Sequence, residues 1–235
     1  MKKTLVVAVI SLAFGTLPAA KAAAEAPKFS VSVGGGGSFA ANFSTWRVDE
    51  DVPGDLNRYD TTALGSEIFF FFDATYFEAD IGALFTRLNA VTPPVGTVGA
   101  SDDSANVLGL RFSLYLKYPF AASDKVTLFP LLGAAYELSL LAKHDGGGGR
   151  IKDTEFQVSA SKSDAKALEA LSAVWFKAGL GADVNLTDHL FLRTELLYGI
   201  RLPNETEKYK RDARSDVDSM LGHGGDFKFA VGYRF

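Results

Sequence analysis

The sequence predicts an all-β fold, an eight-stranded antiparallel transmembrane β-barrel with short periplasmic turns and long extracellular loops. Three observations carry this prediction. The chain opens on an export signal, apolar and polar residues then alternate in eight separate stretches, and the connections between those stretches are alternately short and long. The composition agrees, because 19 Phe and 23 Gly beside 2 Met in 235 residues favour strands and bends over helices.

Residues 1–24 read as a signal peptide. Lys2 and Lys3 form a positive start, Leu5 to Phe14 an apolar stretch, and Ala20 to Ala24 a small-residue cleavage region. Gly15 and Pro18 interrupt the apolar run before it reaches the roughly 18 residues that a membrane helix needs. Residues 25–235 are then expected to form the barrel domain. The longest later apolar run, Ile68 to Phe72, is too short to span as a helix.

Period-two alternation marks strands with two unlike faces. The first stretch puts Phe29, Val31, Val33, Phe39, Ala41 and Phe43 on one face. The second puts Leu64, Ile68, Phe70 and Phe72 opposite Gly65, Glu67, Phe69 and Phe71. Phe77, Ala79, Ile81 and Phe85 oppose Glu78 and Asp80 in the third, and Leu108, Leu110, Phe112, Leu114, Leu116 and Tyr118 oppose Arg111, Tyr115 and Lys117 in the fourth. The fifth sets Val126, Leu128, Pro130, Leu132, Ala134, Tyr136, Leu138 and Leu140 against Thr127, Glu137 and Ser139, with Phe129 and Leu131 also on the second face. Val174, Phe176 and Leu180 oppose Lys177 and Asp183 in the sixth, and Leu192, Leu196 and Tyr198 oppose Arg193, Glu195 and Arg201 in the seventh. The eighth sets Phe227, Phe229, Val231, Tyr233 and Phe235 against Lys228 and Arg234.

Short turns are predicted at Asp73 to Tyr76, Pro119 to Asp124 and Leu186 to Asp188, and long polar connections at 45–62, 89–105, 142–172 and 203–223. An even strand number with every long connection at one end is the pattern of a barrel inserted in a bilayer. The content of the two faces gives the orientation. One face is nearly free of charge and has aromatic ends, as a lipid-facing band with interfacial girdles requires. The other carries mid-strand charges, which an interior narrow enough to be filled by side chains forces into pairs.

The export signal, the eight alternating strands and the terminal segment Phe227 to Phe235 resemble the small outer-membrane β-barrel proteins of bacteria. Within that group the fifth stretch is similar to outer-membrane protein W-like chains. The charged lumen is more like outer-membrane protein X and the barrel of outer-membrane protein A. The resemblance implies residence in the bacterial outer membrane. It also implies that Phe227, Phe229, Tyr233 and Phe235 form an assembly signal presented to the barrel-assembly machinery.

Two groups of residues are candidate functional features. The first is a lumen charge network of Glu67, Asp80, Arg111, Glu137, Lys177, Arg193, Glu195 and Lys228; the second is an apolar constriction of Phe69, Phe71, Phe129, Leu131 and Phe191 near the periplasmic end. Aromatic side chains fill barrel interiors well, so the constriction reads first as packing. The charge network reads first as a salt-bridged plug and second as a gated passage.

Several function classes drop out. Net charge is −4, which leaves no excess of positive charge for nucleic acid. With no Cys, disulfides, thiolate metal sites and cysteine nucleophiles are excluded. The three histidines, His144, His189 and His223, are expected in loops or turns and not in strands on the lipid-facing side, so no catalytic, metal or cofactor-binding residue is assigned and no enzyme is expected. Charges in the first loop (Asp49, Glu50, Asp51, Asp55, Asp60) and the last (Lys208, Lys210, Arg211, Arg214) mark surface that ligands can reach, and Ser161 to Leu171 is expected to form a short helix, capped by Ser163, covering the barrel mouth.

The functional expectation is a monomeric integral outer-membrane barrel acting through its surface loops in adhesion, ligand binding or envelope integrity. Its partners are outer-membrane lipids and an extracellular ligand or small solute. The alternative is a narrow pore or channel for small or hydrophobic solutes.

Overall fold

The computed structural model describes residues 29–48, 58–92, 101–145, 154–157, 168, 171–202 and 217–235. The expected signal peptide, Ser163 and the loop clusters lie outside the described residues, except Asp60, which stands not in a loop but in a strand opposite Thr45 and Val91. Among the described residues ten strands follow one another. They are β1 (Val31–Val48), β2 (Arg58–Ala74), β3 (Phe77–Thr92), β4 (Ser101–Lys117), β5 (Phe120–Ala121), β6 (Val126–Asp145), β7 (Thr154–Gln157), β8 (Ala173–Asn185), β9 (Leu190–Leu202) and β10 (Val217–Arg234).

Eight of these are long, and they close into one antiparallel ring. Each pairs with its chain neighbour, β4 pairs with β6 across the short β5, and β1 pairs with β10 to complete the circle. Closure satisfies backbone donors and acceptors around the sheet, which a bilayer interior demands. The two short strands are appendages: β5 pairs with the start of β6 and β7 with its far end.

Side-chain burial inverts the usual order. Charged residues such as Arg111, Arg193, Lys228 and Glu78 are among the most buried, while Phe39, Ile68, Phe70, Leu132 and Leu196 stand exposed on the outer wall. A soluble protein of this size does not display such a continuous apolar band; facing hydrocarbon, the arrangement is the stable one. Aromatic rings cluster at both ends of this wall. Tyr76 stacks with Tyr118, His189 with Tyr233, and Tyr233 meets Phe235 at the end holding the turns, whereas Phe43, His223 and Tyr198 meet at the other. Such girdles sit where ring and headgroup levels coincide.

The turn end is tied together. Thr75 takes a φ of 50°, a region that β-branched residues rarely occupy. Its hydroxyl accepts from the Ser30 amide at 2.7 Å and donates to the Ser30 carbonyl at 3.0 Å, so the turn clasps the entering chain. The amide of Phe235 donates to the Val31 carbonyl at 3.0 Å, which closes the seam between first and last strands.

Several expectations are corrected. Strands run well into the segments expected to be loops, β1 to Val48, β3 to Thr92, β6 to Asp145, and β10 from Val217, because polar residues in a strand beyond the lipid band break no pattern that periodicity can register. The strict alternation expected through Leu140 fails. Ser139 pairs with Gly109 and Leu141 with Leu108, leaving Leu140 as a bulge and returning Leu141 to the outer face. His223 is not in a loop but in β10, opposite Phe43 and Ile200 and on the lipid-facing wall. The glycines flanking it hid the strand from a sequence reading. Of the expected loop helix, the described Leu168 and Leu171 are helical, and they pack with Val107, Ala142 and Leu88 at the loop end of the barrel.

Candidate functional site

Inward positions of the long strands build three tiers of charge. Nearest the turns is Arg193. Its Nη1 donates to Glu78 at 2.6 Å, its Nη2 to Asp73 at 2.6 Å, and Nε and Nη2 both reach Asp183, at 2.7 and 2.8 Å. Lys117 pairs with Asp73 and lies 3.6 Å from Glu78, and Arg234 lies 3.7 Å from Asp183. In the middle tier Lys228 pairs with Asp80 and lies 3.5 Å from Glu195. Towards the loops, Arg111 contacts Glu137 at 2.6 Å, Glu67 at 2.9 Å and Asp226 at 3.7 Å, and Lys177 also pairs with Asp226. A guanidinium forked between carboxylates is the geometry that makes such pairs strong.

All eight residues of the expected charge network therefore lie in the lumen; Arg111 with Glu137 and Lys228 with Glu195 face each other across paired strands, whereas the other contacts among the eight do not follow strand adjacency. Glu67 and Glu137 meet at Arg111, whereas Arg193 and Glu195, close in sequence, approach only to 4.0 Å. Partners come from across the ring, such as Asp80 and Lys228, since a narrow lumen brings opposite walls within side-chain reach. Asp226 was missed. It stands two residues before Lys228 and shares its face, so extending the alternation back one period would have found it. Trp175 relates to Lys177 in the same way and lies with its ring 5.5 Å from that ammonium.

The apolar residues divide into two patches. Phe69, Phe71 and Phe191 join Ala230, while Phe129 and Leu131 join Tyr115 and Leu197. The Arg193 guanidinium bridges them, 4.6 Å from the Phe71 ring centre and 5.1 Å from those of Phe129 and Phe191. The expected constriction is thus centred on a cation clasped by three rings. Glycine makes the room: a Cβ at Gly34, Gly181 or Gly232 would overlap the ring of Phe71, Phe129 or Phe191 respectively, and one at Gly82 would overlap the Glu67 carboxylate. On the outer wall, Phe227, Phe229, Tyr233 and Phe235 all face away from the lumen along β10.

Among the described residues no group of His, Asp and Glu is arranged to hold a metal ion. His189 sits at a turn with Nδ1 2.9 Å from the Arg234 carbonyl.

In comparison with solved structures, the chain is similar to the outer membrane protein OprG from Pseudomonas aeruginosa, with 11% identity over 88% of this chain and 96% of that one and a TM-score of 0.44. It is similar to Neisserial surface protein A, with 14% identity over 87% and 97% and a TM-score of 0.35. A third is Ail, the attachment invasion locus protein of Yersinia pestis, with 16% identity over 86% and 99% and a TM-score of 0.28. No curated protein sequence matches the chain significantly. Residues 9–235 match the outer membrane protein beta-barrel domain. The chain belongs to that family, and its location is the bacterial outer membrane.

Proposed function

We propose that this protein is a non-conducting, non-enzymatic barrel that acts through its extracellular loops and outer wall in adhesion, ligand binding or envelope integrity. The burial and pairing of the inward charges is the observation that carries this reading. Arg193, wedged among three Phe rings and four carboxylate contacts, has a side chain only 2% exposed, and Lys228 one tier above is equally buried. A water-filled passage would wet these groups, and an ion crossing it would have to part pairs whose separation is strongly unfavourable in so dry a place. The lumen is therefore a structural plug, and the barrel a rigid platform for what lies outside it.

The non-enzymatic reading rests on the histidines. The His189 ring stacks on Tyr233 and the His223 ring packs at a tilt between Phe43 and Tyr198 at the other end of the wall, neither beside a carboxylate in any described contact, so neither has the oriented partner that a general base requires. The aromatic outer face of β10 is read as the signal that engages the barrel-assembly machinery, and the chain as a monomer. Single-channel recording of the mature chain in a planar bilayer tests the central claim. A silent membrane at high applied voltage is expected, and regular conductance steps would favour the pore reading instead.

A further inference from the structure

We infer a binding site for a phosphorylated, acyl-chain-bearing lipid of the outer leaflet on the outside of the barrel, on the wall formed by β2, β3, β4 and β6. A concavity of about 560 Å³ opens there, lined by Leu64, Ser66, Phe85, Arg87, Leu108 and Lys143 among others.

The register explains its character. Leu64, Arg87, Asn106 and Lys143 stand directly opposite one another across the four strands and form one row. Two residues towards the turns, Ser66, Phe85, Leu108 and Leu141 form the next row on the same face. Cations thus sit one pleat above an apolar shelf. The bulge at Leu140 makes this possible, since without it Lys143 would fall on the lumen face and Leu141 with it.

The height of the rows matches a lipid headgroup. Arg87 lies ten residues beyond Phe77, the first residue of β3. At about 3.3 Å per residue and a tilt of about 40°, it stands about 25 Å above the turn end, the thickness of the apolar band. On the opposite wall the corresponding loop end carries the girdle of Phe43, His223 and Tyr198; here a cationic row replaces the girdle. Arg87 is exposed and has Leu64 and Asn106 as its cross-strand neighbours, so no acidic residue faces it in the ladder. Lys143 is likewise exposed in the same row, with Asn106 between it and Arg87, and supplies the second cation. A guanidinium binds phosphate oxygens in pairs, and Phe85, Leu108 and Leu141 below offer acyl chains a surface continuous with the hydrocarbon band. Free phosphate uses only the upper row; a phosphorylated lipid uses both.

The site does not depend on whether the lumen conducts. It is tested by native mass spectrometry of the full mature chain released from nanodiscs doped with a synthetic bis-phosphorylated, acylated glucosamine disaccharide. One retained lipid per barrel is expected, with retention falling at least about tenfold for the same lipid lacking its phosphates and about tenfold for R87Q/K143Q. K125Q, at an exposed turn on the other end, should retain lipid as the parent does. The dephosphorylated-lipid arm needs no variant, so it decides the matter even if R87Q/K143Q folds poorly. Equal retention of phosphorylated and dephosphorylated lipid overturns the proposal, as does full retention by a folded R87Q/K143Q. Displacement by millimolar inorganic phosphate would overturn the lipid assignment in favour of simple anion binding.

Discussion

Replacing Arg111 with Leu removes the one cation that reaches three carboxylates in the loop-side tier, yet it strands only one of them. Asp226 keeps Lys177, and Glu137, with 14% of its side chain exposed, can hydrate. Glu67 is 1% exposed, and without Arg111 it retains the Ser38 hydroxyl as donor, with no other cation within 4 Å among the described residues. Removing one partner of a buried pair costs about 3–5 kcal/mol, so R111L is expected to destabilise the barrel by that amount, most of it from Glu67. Glu67→Gln in the same background abolishes the stranded charge and keeps an acceptor for Ser38, and it should recover about 2 kcal/mol or more. Glu137→Gln, relieving a group that water already reaches, should recover less than about 1 kcal/mol. The assay is urea unfolding in lipid vesicles, with the folded fraction read from gel migration of unheated samples. An R111L barrel within about 1 kcal/mol of the parent, or equal rescue by the two second substitutions, would refute the reasoning.

The other predictions use the same readout. Gly82→Ala pushes a Cβ into the Glu67 carboxylate and is expected to cost about 1–3 kcal/mol; no loss would mean that Glu67 is free to move. Phe129→Ala leaves a cavity beside Arg193 and Lys117 and should cost about 3–5 kcal/mol, with a membrane that stays silent in conductance recording because the Phe71 and Phe191 side of the clasp remains. Lys228→Met leaves Asp80 and Glu195 facing each other without their shared ammonium and should cost about 3–5 kcal/mol, recovered in part by Asp80→Asn. Because the lumen pairs are shielded from solvent, raising salt to about 0.5 M should barely move the unfolding midpoint; a large shift would show that ions enter.

Strand number, the orientation of the two faces and the filling of the lumen by charge were legible along the chain, because a barrel wall in lipid imposes a period of two that survives in the residue order from Phe29 to Phe235. The stretch from Glu67 to Phe72 shows how far this reaches: it placed Glu67, Phe69 and Phe71 inside, where they are buried, and Ile68, Phe70 and Phe72 outside. Periodicity carries no signal where glycine or a polar residue continues a strand without contrast between faces, and the segment from Gly222 to Asp226, which holds His223 and Asp226 in β10, is of that kind. It failed at Leu140, since one inserted residue leaves no mark on composition yet exchanges the faces beyond it.

Some pairs, Arg111 with Glu137 and Arg193 with Asp183, follow from the register of neighbouring strands; the rest were decided by closure of the ring. Shear and diameter set which inward residues meet across the lumen, so that Lys228 finds Asp80 of β3 and Arg193 settles among Phe71, Phe129 and Phe191 from three different strands. The row of Arg87, Asn106 and Lys143 on the outer wall likewise exists only through register between strands. A residue's face follows from its own neighbours in the chain, whereas its partner follows from how far every other strand has slid before the barrel shuts.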